Sequence, residues 1–520
     1  MKKRLTAVAV ILLAMIYIIV LALIQSPVAD QSAMIQNLGG FSKETILVWY
    51  SDEVLADYIS SAAVAFNEEE GNQHYRILPV LVPGLEYLEA INRASVAGEE
   101  PDLYIIGHDS LEKAYLSGLA TEITLAEGLT AYPAVGLNAV TYHDKVLGYP
   151  FYFETSALLY NKTYLRQMAE AQIQAELDEA AALAAQEELA EGGPTTGDEA
   201  GEDSTGEGGE ADETQNDPAI LDPAVVEERI NQLLPRTLAD MKSVADNYDA
   251  PEQVEAVFKW DVSDIFYNYF FVGNTMVVGG EAGDDTSNVD IYNPEAINSM
   301  KMYQNLSQFF AIDTNEVRYS DVIAEFMAGK LVFTVATTDV VATLEQATAE
   351  GSFNYEYGII RTPDIDEHTP TRSLSMTSCV VINGYSEHQE VANRFALYLT
   401  RQQAGDLYAR SGKVAAATGI NFEYDNLNRF TEEYARSIPL PKMIETSNFW
   451  VQLEAAFARI WDGANANSEL KELSEQIMTQ IVGEPFTEEL IIEETEVEQV
   501  EYLDEDALRQ EALETGNEEE

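Results

Sequence analysis

The sequence predicts an α/β fold, with mainly parallel sheet covered by helices on both faces. Three observations predict it. The run ILVWY (46–50) is short, continuous and apolar, as a buried strand is; residues 54–69 place apolar side chains at helical spacing; HYRILPVLV (74–82) reads as a strand again. The same alternation continues through 102–106 and 146–152. Strands alternating with helices form parallel sheet, because each crossover helix buries its apolar stripe on the sheet it spans.

Taken in order, the elements carry the chemistry at their ends. In PDLYIIGHDSLEKAYLSGLATEIT (101–124) a strand, LYII, runs into a polar turn at Gly107, His108 and Asp109 and then into a helical pattern. The stretch KVLGYPFYFETSALLYNK (145–162) reads as a strand, a crossover and a second strand, with one carboxylate, Glu154, between Phe153 and Thr155. An acidic residue in such an apolar run is either an exposed edge or a ligand contact. Further on come EFMAGKLVFTVATTDVV (325–341) and SNFW (447–450), which opens an amphipathic helix.

Residues 167–234 interrupt the pattern. Their first part is rich in Ala and Glu and reads as helical, whereas 192–217 is Gly, Glu, Asp and Thr with almost no apolar residue. Such a piece cannot bury enough surface to offset its ordering entropy, so the interruption is expected to be a largely disordered acidic insertion. The acidic tail 487–520 is expected to be a solvated extension.

The 520 residues leave room for two or three domains, and a 46% hydrophobic content is ordinary for a globular protein. The formal charge of −61 is not. It argues against nucleic acid as a partner, since backbone binding needs clusters of Lys and Arg. The insertion loop contributes about −10 and the tail about −14, which leaves roughly −37 elsewhere, so the acidity is general. The lone cysteine, Cys379, lies in the apolar run SCVVI and is expected in the core.

Lys2, Lys3 and Arg4 precede an uninterrupted apolar run, 5–24, which at about 1.5 Å per residue spans roughly 30 Å, the thickness of a bilayer core. No clear small-x-small cleavage site follows. The run therefore reads as a transmembrane signal anchor, with a cleaved signal peptide as the alternative; the remainder lies outside the cytoplasm, and 25–43 form a tether. No cysteine for lipid attachment follows the run.

In their order and spacing, the segments 101–124, 145–162, 325–341 and 447–450 together resemble the extracellular solute-binding proteins of ABC importers, most closely the maltose-binding-protein-like group. The resemblance covers most of 45–482. It implies a two-lobed periplasmic-binding-protein-like (type II) fold with a hinge, preceded here by the N-terminal helix. One lobe would comprise 44–152 and 376–427, the other 153–375 and 428–486. It further implies a solute, a carbohydrate, bound between the lobes by a monomer and passed to permease subunits in the membrane.

Sugar recognition needs flat apolar faces for the C–H side of a ring and fixed carboxylates for its hydroxyls. By resemblance, the loop after the first strand supplies Trp49, Asp52 and Glu53, the GHDS turn supplies Asp109 with His108 beside it, and Glu154 falls on the family's glutamate at the first crossover. Residues 257–271 supply Trp260, Asp264 and Tyr267, and Trp450 matches an aromatic that stacks on sugar. Each of these aromatics has core packing as its alternative.

The chain also departs from maltodextrin binders. Val54 replaces a lysine, Ile106 a tryptophan, Ser110 an arginine and Glu454 an arginine, while Asp339 stands near a stacking tryptophan. These changes argue against maltose itself and suit another sugar, an amino sugar or a cationic solute such as a polyamine. A surface-anchored sensor or interaction protein that kept the fold is the alternative of a different class. An enzyme is not expected, and neither is a cofactor or metal. The five histidines lack ligand spacing, and no phosphate loop or nucleophile elbow is present.

Overall fold

The computed structural model describes residues 43–123, 126–191, 221–310 and 312–492. The strands are β1 (Glu44–Tyr50), β2 (Tyr75–Leu81), β3 (Leu103–Gly107), β4 (Gly148–Asn161), β5 (Ala256–Phe258), β6 (Leu331–Thr337), β7 (Tyr357–Ile360), β8 (Leu374–Ile382), β9 (Val414–Ala415) and β10 (Ile438–Pro439). They form one hydrogen-bonded path in the order β2-β1-β3-β8-β4-β6-β5, with β7 and β9 also on β4 and β10 on β8.

The strand β4 organises this path. Its first half, from Gly148 to Thr155, pairs with β8, and its second half, from Ser156 to Asn161, pairs with β6 and β7. The sequence suggested two strands joined by a crossover in this stretch. Instead a single strand of 14 residues serves both halves of the molecule. The expectation of mainly parallel sheet holds for β1, β2 and β3. It fails at β8, β6, β7 and β9, which all run antiparallel to β4. A chain that crosses between two halves and comes back beside itself must run against its outgoing strand.

Each half has its own core. In the first, strand alternation sends Ile46, Val48, Leu103, Ile105, Val380 and Ile382 to one face, and Tyr104, Ile106, Cys379 and Val381 to the other. Cys379 is fully buried, as expected. In the second half a single aromatic-rich core gathers Phe258, Trp260, Phe271, Tyr303, Phe310 and Trp461.

Much of the supposed insertion is ordered. The helix Lys162–Glu191 continues directly from β4, and the helix Pro223–Leu233 packs against it, starting with Asp222 as a cap and a proline in the first turn. Val226 and Ile230 from the second helix and Ala169 and Ile173 from the first are buried in the second-half core. Arg229 pairs with Glu176 at 2.8 Å and Lys162 with Glu227 at 2.7 Å. Apolar residues too sparse to mark a helix by themselves are enough when the partner helix already offers a surface.

The loop expected at 192–217 lies outside the described residues, as do the apolar run 5–24, most of the tether and the tail beyond 492. Residues 487–492 are described and are not free: Ile491 donates its N–H to Tyr292 (2.9 Å) and accepts from Asn467 (2.9 Å). Among the described residues no helix is long and apolar enough to cross a membrane.

Candidate functional site

The candidate residues fall at the ends of strands on either side of β4. After β1, Asp52 caps a short helical turn by accepting the Val54 N–H at 3.2 Å. Glu154 lies on β4 at its last pairings with β8, where Met376 is its register partner. Asp109 reaches over Gly107: a Cβ there would stand 2.5 Å from Asp109 Oδ1 and 3.3 Å from Met376 Cε, so a side chain at 107 would displace both. The Asp109 side chain is open to solvent, yet enough protein surrounds it that burial pushes its carboxyl above the usual range.

A lysine absent from the sequence-based set joins two of these carboxylates. Gly412, in the left-handed conformation, ends the helix Ala404–Ser411 and turns the chain into β9. β9 pairs antiparallel with β4, Val414 against Phe153 and Ala415 against Tyr152. One step further in that register, Lys413 faces Glu154. Its Nζ stands 3.1 Å from Glu154 Oε1, 3.6 Å from Asp52 Oδ2 and 5.2 Å from the centre of the Tyr152 ring. Burial pulls the lysine's pKa down, but Glu154, Tyr152 and Asp52 outweigh it and hold the ammonium above the ordinary lysine range.

The second half contributes a different wall. Asp264 caps a short turn by accepting the Phe266 N–H at 2.8 Å, and the next residue but two, Tyr267, stacks on Tyr319 at 4.6 Å and 17°. Tyr319 is fixed at both ends. Its backbone N–H donates to the buried Asp261 at 2.8 Å, and its hydroxyl accepts from Thr337 N–H at 3.2 Å and donates to Asp339 at 3.3 Å. Thr337 is paired with Ser156 of β4, which brings this cluster beside the strand that carries Glu154. Burial and then the neighbouring Asp261 raise the Asp264 carboxyl, and burial and then Asp264 raise that of Glu454. Trp450 is half-buried, one turn before Glu454, with its ring 5.5 Å from Tyr269.

Two sequence-based candidates do not reach this surface. His108 is fully buried; its Nδ1 accepts the Thr377 N–H at 3.0 Å, which leaves Nε2–H to donate to the Leu440 carbonyl at 2.8 Å. Burial, and next the charge of Lys442, lower its pKa to about 3, so it is a neutral hydrogen-bonding group of the core. Trp260 is likewise fully buried, stacked on Phe258 at 4.5 Å, with Nε1–H donated to Asn268 at 2.8 Å. Trp49 is half-buried against the cluster of Tyr104 and Ile106, and Glu53 beside Asp52 is exposed. The structure thus brings Asp52 and Glu154 together through Lys413 and sets Asp109 near Met376, the register partner of Glu154; in the second half it gathers Asp264, Tyr267 and Asp339, with Trp450 one turn before Glu454. Sequence reasoning missed Lys413 and Tyr319. Among the described residues no group of His, Cys, Asp and Glu is placed to hold a metal. A polar depression lined by Asn274, Asp290, Asn293 and His368 includes none of the candidate residues.

Two half-molecules joined through a shared strand, with carboxylates and aromatic faces at the strand ends around the junction, define a two-lobed binding protein. The sequence matches the family model for bacterial extracellular solute-binding proteins over residues 61–414, and the chain belongs to that family. That family places the protein outside the cytoplasm. Solved structures agree on the fold. The extracellular solute-binding protein from Staphylococcus aureus in complex with maltose has a TM-score of 0.64 at 18% identity, over 84% of this chain and 98% of that one. A cyclo/maltodextrin-binding protein complexed with maltotetraose gives 0.63 at 17%, over 84% and 97%. The maltose-binding periplasmic protein from Listeria monocytogenes in complex with maltose gives 0.59 at 16%, over 86% and 100%. No curated protein matches the sequence.

Proposed function

We propose that the protein is the substrate-binding component of an ABC importer, that it binds a carbohydrate, an oligosaccharide or sugar derivative, between its lobes, and that it delivers this solute to a membrane permease. The observation that carries the reading is the distribution of polar and aromatic groups about β4: Asp52, Asp109 and Glu154 offer acceptors for hydroxyls, and Tyr267, Tyr319 and Trp450 offer rings that are only half-buried. The similar structures with maltose and maltotetraose support a sugar as the solute class. The role is noncovalent, and no catalytic step is proposed. The apolar run 5–24 serves as the membrane anchor in this reading.

A solute bound only by the native state raises its melting temperature. The test is a thermal-shift screen of the full-length protein against neutral mono- and oligosaccharides, amino sugars and polyamines. A shift with one sugar class supports the reading. A shift with polyamines alone replaces it by a cation binder, and silence throughout favours a sensor or interaction protein that kept the fold.

A further inference from the structure

We infer that Lys413 fixes the charge class of solute that the first-lobe wall accepts, admitting neutral hydroxyls and turning away cations; the inference rests on the binding-site reading above. Without Lys413 this wall would present Asp52 and Glu154, two carboxylates that together would draw in a cation. With it, the ammonium lies 3.1 Å from Glu154 and 3.6 Å from Asp52, tethered there by the register of β9 on β4. A cationic solute must displace a counter-ion that is already part of the chain and gives up no translational freedom to be there. Specificity of this kind is built against the wrong partner.

A neutral hydroxyl has no such competitor. The ammonium has three protons, of which Glu154 takes one at 3.1 Å while Asp52 stands by as an ion-pair partner at 3.6 Å, and both carboxylates keep free lone pairs. The pair therefore offers a hydroxyl both a donor and an acceptor. The second wall is arranged differently: burial and next Asp261 raise the Asp264 carboxyl, and burial and next Asp264 raise that of Glu454. Val54, the residue after Glu53, is exposed and apolar. Lys413 puts a cation on the same wall from another strand.

The test uses full-length wild-type protein, Lys413→Met, Lys413→Arg and the double variant Lys413→Met/Glu154→Gln, titrated calorimetrically with spermidine and with maltotriose. Spermidine should bind Lys413→Met at least about tenfold more tightly than wild type or Lys413→Arg, and Glu154→Gln should reverse the gain. A merely structural role for the lysine would not produce a gain that depends on Glu154. Equal spermidine affinity in wild type and Lys413→Met, or a gain untouched by Glu154→Gln, overturns the inference. Should Lys413→Met melt early, Lys413→Gln serves in its place. Maltotriose reports separately on the carbohydrate reading: failure of wild type to bind it counts against a maltodextrin as solute and leaves the spermidine comparison decisive for Lys413.

Discussion

The imidazole of His108 makes two buried hydrogen bonds that require its neutral form, and this ties the stability of the fold to pH. Its folded pKa of about 3 lies below the ordinary 6.5, so its contribution is fully present above about pH 6.5 and is lost as the pH falls towards 3. The raised carboxyls of Asp109, Asp264, Glu433 and Glu454 act in the opposite sense, because they bind protons more readily when folded. A comparison with His108→Gln cancels them. Across pH 6.5 to 3, wild type should lose denaturant stability relative to the variant; parallel pH profiles would show that His108 is not the group responsible. At this scale the sequence was only partly informative. GHDS was read as a turn after a strand and 257–271 as a contact loop by resemblance, but in each segment one candidate faces solvent and the other the core, and composition does not say which. Asp109 and Asp264 are exposed where His108 and Trp260 are buried. Lys413 left no local trace, since its role depends on pairing with a strand 259 positions away.

At the scale of elements, the helical hairpin that follows β4 is part of the second-lobe core. Ile230 is fully buried there. Ile230→Ala should therefore cost about 2 to 5 kcal/mol in urea unfolding, the range for deleting a buried aliphatic side chain. A change below about 0.5 kcal/mol, the size of an ordinary surface substitution, would mean the helix is not packed as described. The first strands were legible, because apolar runs such as 46–50 alternate with segments of helical spacing. Pairing was not. The length of β4, 14 residues against about 5 or 6 for a common strand, made it look like two elements. Its antiparallel neighbours come from segments remote in sequence, so local periodicity carries no record of their direction. The second helix of the hairpin, Pro223–Leu233, was hidden for another reason: its few apolar residues make a buried stripe only where they meet those of the first helix.

For the whole molecule, the consequential feature is that β4 is a continuous link between two cores, with the proposed binding groups on both sides of the link. In two-lobed proteins a solute that touches both walls favours the closed arrangement by the difference in its affinity for the closed and open forms. Glu154 stands at the junction, half-exposed and paired with a lysine that is itself partly exposed. Its loss should cost little in folding, because exposed ion pairs are worth about 0 to 1 kcal/mol. It should cost binding about 1.5 to 3 kcal/mol, the range for a hydrogen bond to a charged group. The most direct measurement is small-angle scattering of full-length wild type and Glu154→Ala, each titrated with the sugar that the thermal screen returns. Contraction of wild type on binding, reached in the variant only at about tenfold or higher sugar concentration, is the result predicted for a solute held between the lobes. Saturation of wild type without contraction, or an unchanged response in Glu154→Ala, would contradict it.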